Sequence, residues 1–328
     1  MKAKTNLKTT VALRNMLSCA ALAAVAAVAM SSPALAADAA KKTTAAKTAM
    51  QKIFATPEEL FQALVDAAKA GDSKMLAALL GPKGDPLIHS GDVVADKQRA
   101  DKFAADYAAK HSVTKEGDAK ATLVVGNDDW PMPIPAVKGA KGWTLDTAAG
   151  SREILARRIG ANELAAIEVV RAIVDAQLDY ASQDRDANGV RDYARKFAST
   201  PGKKDGLYWP TKEGEQPSPL GPLVVQASSE GYKGKGGTET PYHGYYYRIL
   251  TAQGKDAQGG ALNYIVQGRM IGGFAVVAYP AQYGNSGIMT FIANYQGTVY
   301  QKDLGAKTGE MAKAMKVYNP DSSWTEVK

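Results

Sequence analysis

Residues 150–164 read GSREILARRIGANEL and open the stretch of sequence that decides the fold. Ser151 is the predicted N-cap of a long amphipathic helix, in which apolar residues recur every three or four positions. They are Ile154, Leu155, Ile159, Leu164, Ile167, Val170, Val174 and Leu178. Gly160 predicts a kink or a close packing contact. The stretch ends at Gly206, and its helix is predicted to join a mixed region to a strand-rich region.

The N-terminus has the pattern of a secretory signal peptide. Basic residues precede an uncharged apolar run from Met16 to Met30, and Ala34-Leu35-Ala36 supplies a small-x-small cleavage site. We expect cleavage after Ala36 and a periplasmic or secreted protein. The apolar run is shorter than the roughly 20 residues that cross a bilayer, so no transmembrane span is expected in the cleaved chain.

Loss of residues 1–36 changes the charge and the cysteine content of the chain. The full sequence has 40 basic and 33 acidic residues and a net charge of +7. The signal segment holds four of the basic residues and no acidic one, so a surplus of +3 remains. This small surplus does not support nucleic-acid binding. Cys19 is the only cysteine, so the cleaved chain is cysteine-free and has no disulfide or thiol nucleophile.

The rest of the chain is predicted to form an α+β protein of two domains. Residues 37–53 are rich in Ala, Lys and Thr and predict a disordered leader. Residues 54–148 carry helical patterns and then a hairpin around Trp143, a small helix-plus-hairpin domain with an NTF2-like outline. Residues 149–328 carry the long helix and later strand patterns, which predict a four- to five-stranded antiparallel sheet packed on that helix.

Several long motifs resemble the bacterial secreted family named domain of unknown function 2950 (DUF2950). They are Arg157–Leu164, Asp205–Pro210, Tyr279–Gly284, Thr290–Phe291 and Lys302–Gly305. The resemblance covers nearly the whole cleaved chain. It implies an envelope location and no assigned activity.

The C-terminal half also resembles the globular head of pilins and type II secretion pseudopilins, in which one helix crosses a four-stranded antiparallel sheet. The matching segments are Ala176–Tyr180, Tyr193–Ala194, Gly244–Tyr247, Phe274–Ala278, Gly287–Phe291 and Asn294–Val299. Pilins enter the membrane through an N-terminal apolar helix, whereas a soluble domain precedes the helix here. The resemblance therefore implies a pilin-like head fold and does not imply assembly into a pilus.

One acidic loop follows the long helix and has part of a calcium-binding pattern. Oxygen-bearing residues alternate with others before a glycine, as in an EF-hand loop, but position 12 is an Arg instead of a bidentate Glu. The candidate ligands are Asp184, Asp186, Asn188, Val190 and Asp192. The alternatives are a structural Ca²⁺ site and a polar turn that ends the helix; no other cofactor is expected.

Polar residues cluster around Gly160, and aromatic residues recur from Tyr208 to Tyr247. Arg157, Arg158, Asn162 and Glu163 predict either a docking surface or an ion-pair network that ties the helix to the hairpin of Trp143. Asp205, Tyr208 and Trp209 begin the aromatic segment, which predicts either a binding groove or ordinary core packing.

Two functions remain open on the sequence. The first is a non-enzymatic envelope protein that binds an envelope protein or glycan, or assembles with it, through residues 205–243. The alternative is an envelope hydrolase that uses a pair of carboxylates such as Glu163, Asp192 or Asp205. Gly284–Gly287 superficially resembles a serine-protease nucleophile loop, but no histidine lies in a recognisable triad context, so a tight turn is predicted there.

Overall fold

The structure, a computed structural model, describes residues 51–185, 187, 189–233 and 240–328. The fold is α+β. The described α-helices are α1 (Pro57–Ala70), α2 (Ser73–Leu80), α3 (Asp85–Ile88), α4 (Val93–Ala109), α5 (Thr147–Ala181), α6 (Gly221–Ser229) and α7 (Thr308–Ala314). The described strands are β1 (His111–Glu116), β2 (Lys120–Val125), β3 (Trp130–Pro131), β4 (Ala136–Gly139), β5 (Gly142–Leu145), β6 (Tyr245–Leu250), β7 (Ala252–Gln253), β8 (Leu262–Asn263), β9 (Ile265–Val266), β10 (Arg269–Met270), β11 (Ala275–Pro280), β12 (Met289–Asn294), β13 (Val299–Asp303) and β14 (Thr325–Glu326).

The described chain begins inside the predicted leader. The side-chain amide of Gln51 donates to the carbonyl oxygens of Leu79 and Leu145 at 3.0 and 2.9 Å. Residues 51–53 are therefore tied to the fold, whereas residues 37–50 lie outside the described residues. The limits of the leader and of the two domains stay predictions.

The N-terminal part packs α1, α2 and α4 beside an antiparallel sheet. Its strands lie in the order β1-β2-β4-β5, and β3 pairs with β2. Helix α1 begins where the sequence predicts, because the Thr56 hydroxyl accepts from the Glu59 N–H at 3.2 Å. It ends at Gly71, whose φ of 65° is left-handed. Leu60, Phe61 and Leu123 are among the fully buried residues of this core.

Helix α5 is longer than predicted and begins before Ser151. Asp146 is its N-cap: its carboxylate accepts from the Ala149 N–H at 3.2 Å, and 35 residues of unbroken helix follow. Gly160 neither breaks this helix nor packs closely, because nothing lies within 4 Å of the position that its Cβ would take. The predicted close contact at Gly160 is therefore wrong, whereas the predicted kink stays a prediction.

The buried stripe of α5 also differs from the predicted one. Leu164 and Leu178 are 68% and 45% exposed. Ile167, Val170 and Val174 are buried, as predicted. Nearer the start of the helix, the buried face runs through two polar residues, Arg158 and Asn162, and then through Ala166. Hydrophobic periodicity missed this first part of the face because Arg158 and Asn162 are polar and are held there by hydrogen bonds to other segments.

The C-terminal sheet confirms the predicted antiparallel arrangement. Its strands lie in the order β14-β13-β12-β11-β6, and each neighbouring pair is antiparallel. Every residue of β11 is buried, which requires cover on both faces of the sheet. Helices α5 and α7 both contact this strand. The smaller pairs are β7–β8 and β9–β10.

No helix within the described ranges has the length and apolar content needed to cross a membrane.

Candidate functional site

The polar residues of α5 meet the turn that connects β11 to β12. The guanidinium of Arg158 donates from Nη1 to the amide oxygen of Asn285 at 2.7 Å and to the Pro86 carbonyl at 2.6 Å. Its Nη2 donates to the Leu87 carbonyl at 2.7 Å. These two carbonyls belong to α3, so one side chain holds a helix of the N-terminal part against a turn of the C-terminal sheet.

The next turn of α5 binds the same loop through its backbone. Asn162 donates its side-chain amide to the Ser286 carbonyl at 2.9 Å. One carboxylate oxygen of Glu163 accepts from the N–H groups of Ile288 and Met289 at 2.9 and 3.0 Å. Charge-assisted bonds of this kind fix the path of a loop. We call residues 282–289, together with Arg158, Asn162 and Glu163, the α5–turn junction.

Ser286 of the α5–turn junction is structural. Its side chain is fully buried, and its hydroxyl accepts from the Gln282 N–H at 2.9 Å. The Gly284 N–H also donates to the Gly287 carbonyl at 2.9 Å, which closes a tight turn. Gly284–Gly287 resembles a nucleophile loop in sequence, but its serine is buried and therefore not exposed to a substrate.

Two glycines allow the close approach of backbone and side chains at this junction. A Cβ on Gly244 would lie 2.5 Å from Nδ2 of Asn162, and a Cβ on Gly287 would lie 2.1 Å from the Tyr245 hydroxyl. The Tyr245 hydroxyl donates to the Met289 carbonyl at 3.0 Å and its ring is fully buried. The junction is therefore close-packed and leaves no room for a ligand at these atoms.

Arg158 is a buried cation that has no ion-pair partner in the described part of the chain. It is 6% exposed, and its Nε lacks a hydrogen-bond partner there. Burial and the nearby charge of Arg99 lower the pKa of Arg158 to about 10, and Asp96 partly offsets them. The side chain therefore stays protonated at neutral pH and is held by carbonyl and amide oxygens. Such a group orders its surroundings strongly, because leaving a buried charge unsatisfied is costly.

Arg157 lies apart from this junction, although the sequence grouped the two arginines. It pairs with Glu153 one turn earlier in α5, and its guanidinium lies 5.6 Å from the centre of the Trp130 ring. Arg157 and Glu163 thus bind different segments. The two alternatives for this polar group, a docking surface and an ion-pair network with the hairpin of Trp143, stay predictions. Arg158 and Glu163 reach the β11–β12 turn instead, because adjacent residues of a helix point about 100° apart, whereas residues four or five apart lie near the same face.

The Asp205–Trp209 segment also has structural contacts. Burial alone raises the pKa of Asp205, but the Lys196 ammonium, at 2.8 Å, and the N–H and hydroxyl of Thr200 outweigh it and lower the pKa to about 2. Tyr208 forms a bridge with Ala198, and Trp209 is 7% exposed. Asp205, Tyr208 and Trp209 thus secure a loop and do not line an open groove.

The calcium hypothesis stays a prediction. Asp186 and Asn188 lie outside the described residues. Asp184 accepts from the Gly189 N–H at 2.9 Å, which closes the loop from within. Elsewhere in the described chain, no three His, Cys, Asp or Glu residues come together in a way that suits a metal ion.

A second polar cluster, which sequence reasoning missed, lies around Asp92. Asp92 is 1% exposed. One of its oxygens caps α4 by accepting from the Ala95 N–H at 3.0 Å. The other accepts from the Tyr232 hydroxyl at 3.0 Å and from the Gly244 N–H at 2.8 Å. A carboxylate of the N-terminal part thus holds the backbone that leads into β6.

Next to Tyr232, an aromatic cluster reaches the surface; we define it as Tyr232, Tyr242, His243 and Glu230. The Tyr242 ring centre lies 4.9 Å from that of Tyr232 and 4.1 Å from that of His243. His243 Nε2 lies 3.4 Å from a carboxylate oxygen of Glu230, and both side chains are about a quarter exposed. Within the described residues, that Glu230 oxygen and the Tyr242 hydroxyl make no hydrogen bond.

The phenols of the aromatic cluster are protonated at neutral pH. Burial and the charge of Glu230 raise the pKa of Tyr242 well above its ordinary value. Burial and the hydrogen-bonded Asp92 carboxylate do the same to the pKa of Tyr232. These hydroxyls are therefore hydrogen-bond donors and not nucleophiles. Because residues 92 and 243 are far apart in sequence, their spacing does not predict that they lie close together. The run of tyrosines was the sequence feature that indicated an aromatic cluster here.

Comparison with known proteins assigns a family and no activity. Residues 51–327 match the model of a family described as a protein of unknown function, DUF2950. Neither the curated proteins nor the solved structures contain a match to the chain.

Proposed function

Since the chain belongs to the DUF2950 family, whose description names no reaction, we propose that it is a non-enzymatic envelope protein that binds a partner through the aromatic cluster. The partner is an envelope protein or glycan. Export follows from the N-terminal pattern of basic residues, apolar run and Ala34-Leu35-Ala36, which precedes the folded chain.

The observation that carries the binding proposal is the pair of polar groups at Glu230 and Tyr242. The Glu230 carboxylate lies beside the Tyr242 hydroxyl and 3.4 Å from His243 Nε2, and neither its oxygen nor the phenol completes a well-formed hydrogen bond in the described chain. Leaving a buried polar atom without a partner costs about 1–3 kcal/mol, which a ligand that supplies the missing bonds recovers. The combination of an aromatic surface and a few polar groups is typical of binding sites.

The contacts of the candidate carboxylates favour binding over hydrolysis. Glu163 is bound to two backbone N–H groups, and Asp205 to Lys196 and Thr200. A general acid needs a raised pKa, whereas the pKa of Asp205 is lowered to about 2. These two carboxylates bind different loops and serve structure.

Affinity capture from an envelope extract tests the proposal. The protein is purified from cells that express the full chain, and it is compared with the double variant Glu230→Gln, Tyr242→Phe and with the control Glu215→Gln, an exposed acid of the same segment. We expect a captured component that the control retains and the double variant loses. Identical capture by all three proteins, or release of soluble products from envelope polymers, contradicts a non-enzymatic binding role at this cluster.

A further inference from the structure

Strands β7 and β8 and the segment that follows α7 form a surface groove. In the sequence these elements follow β6, whereas the aromatic cluster precedes it. The groove is shallow and open to solvent over most of its extent, with a volume of about 460 Å³. Thr251 and Ala252 lie at its base, Leu262 and Asn263 form one wall, and Lys316 and Val317 form the other. We call this surface groove the β7–β8 groove.

The base of the β7–β8 groove is held from both sides. Strand β7 pairs with β8, and its Ala252 carbonyl accepts from the Tyr318 N–H at 2.9 Å. The buried Gln253 amide donates to the carbonyls of Gln258 and Gly260 at 2.9 and 2.7 Å. Its oxygen accepts from the Tyr264 hydroxyl at 2.8 Å. The groove is therefore largely pre-formed, which lowers the entropy cost of binding.

These contacts also determine how a ligand can lie in the groove. Both edges of β7 are already paired, with β8 and with Tyr318. A ligand cannot extend the sheet there as an added strand. It must lie across the face of β7 and be recognised by the side chains of the two walls.

The walls offer apolar surface and one positive charge. Leu262 and Val317 are 42% and 41% exposed, one on each wall. Lys316 forms no ion pair with any described residue, and the lining contains no carboxylate. A ligand with an apolar group and a carboxylate is therefore complementary in both shape and charge.

We propose that the β7–β8 groove binds the C-terminal end of a short peptide with a free carboxylate. The carboxylate pairs with the Lys316 ammonium, and the apolar C-terminal side chain lies between Leu262 and Val317. Asn263 and Thr251 provide hydrogen bonds to the peptide groups. About three extended residues span roughly 10 Å, which suits a groove of this volume. This site is separate from the aromatic cluster and goes beyond the proposed function.

Calorimetric titration with glycyl-glycyl-leucine and with its C-terminal amide tests this site. We expect saturable binding of the free acid and at least tenfold weaker binding of the amide. Lys316→Gln is expected to weaken binding of the acid about tenfold. The matched control Lys313→Gln, an exposed lysine of α7 outside the lining, leaves binding unchanged. Leu262→Asp, which places a negative charge on the opposite wall, is expected to abolish binding while the thermal transition is retained.

Three binding results overturn the proposal, and a competition result does so as well. The binding results are no saturable binding of the acid at millimolar concentration, equal binding of acid and amide, and equal effects of Lys316→Gln and Lys313→Gln. Displacement of the peptide by inorganic phosphate at equal concentration identifies a simple anion site and also overturns it. Tyr242→Phe separates this site from the aromatic cluster, because it leaves peptide binding intact whether or not the proposed function holds.

Discussion

The guanidinium of Arg158 donates to the side-chain oxygen of Asn285 at 2.7 Å across 127 positions of sequence. Asn285 in turn donates to the His89 carbonyl at 2.8 Å, so both residues bind the segment around α3. The two hydrophobic cores form separate clusters, one around α1 and one around the β11–β12 pair. Polar contacts of this kind, together with those of Asp92, connect the parts of the chain that carry these cores.

Replacement of Arg158 by Met is expected to lower the free energy of unfolding by about 3 kcal/mol. It leaves the buried oxygen of Asn285 and the part-buried carbonyls of Pro86 and Leu87 without their donor. A fully buried loss costs about 1–3 kcal/mol, and the part-buried carbonyls, which water can reach, cost less. Urea denaturation measures the change. Arg157→Met is the control and is expected to change stability by less than about 1 kcal/mol, since Arg157 makes an exposed ion pair. Equal effects of the two substitutions refute a special role for Arg158.

Replacement of Glu163 by Ala is expected to destabilise the fold by about 2 kcal/mol. The N–H groups of Ile288 and Met289 lose a charged acceptor. Glu163→Gln keeps an acceptor oxygen and should cost less. Amide hydrogen exchange at residues 288 and 289 should accelerate more in the Ala variant than in Gln. Glu168→Ala, at an exposed position of the same helix, should leave this exchange unchanged; acceleration there too argues against a local contact.

The elements of the fold were predictable where local signals decide them. Thr56, Pro57 and Gly71 set the ends of α1 through side-chain capping and left-handed φ, both of which are local properties. The central strand β11 is a continuous apolar run and β12 carries Phe291, Ile292 and Ala293 at its centre, so the burial of these residues follows from composition. The predicted N-cap of α5 was wrong by five residues because both Asp146 and Ser151 are acceptable caps.

The site was predictable only in part, because its contacts join distant segments. The sequence identified Arg158, Asn162 and Glu163 as a polar group on a helix but could not show that they face the turn at 282–289. Asp92 gave no signal, because a capping aspartate of α4 looks the same with or without Tyr232. Long-range polar contacts of this kind depend on packing and not on periodicity.

Replacement of Gly160 by Ala is expected to stabilise the protein by about 0.5–1 kcal/mol. Gly160 lies inside α5, and nothing lies within 4 Å of its Cβ position. Ala removes backbone freedom of the unfolded chain and has the higher helix propensity. Thermal unfolding measures the gain as a higher Tm. A lower Tm shows that the helix needs a glycine there for a reason other than packing.

Replacement of Gly287 by Ala is the opposite case and is expected to cost about 2 kcal/mol or more. The new methyl group would lie 2.1 Å from the Tyr245 hydroxyl, and the fully buried ring cannot move aside without disturbing the core.

Gly284→Ser, three positions earlier in the same turn, is a separate test of strain, because φ is 75° there and no atom lies within 4 Å of the Cβ position. Gly284→Ser is expected to cost about 1 kcal/mol from backbone strain alone. Urea unfolding of both variants compares the two causes, and a smaller loss for Gly287→Ala than for Gly284→Ser contradicts the steric argument.

The lowered pKa of Asp205 predicts how the free energy of unfolding depends on pH. Its pKa is lowered from the ordinary 3.8 to about 2, so the folded protein favours the ionised form. The contribution of this carboxylate to stability is therefore complete above about pH 4, and it decreases as the pH falls through 2. Since part of the side chain is exposed, the contribution is below about 1 kcal/mol.

The difference in unfolding free energy between the native protein and Asp205→Asn should be present at pH 6 and shrink towards pH 2. Glu215→Gln, as the control, should change little over the same range. A difference for Asp205→Asn that stays constant from pH 6 to pH 2 means that the Lys196 and Thr200 contacts do not hold the carboxylate as described.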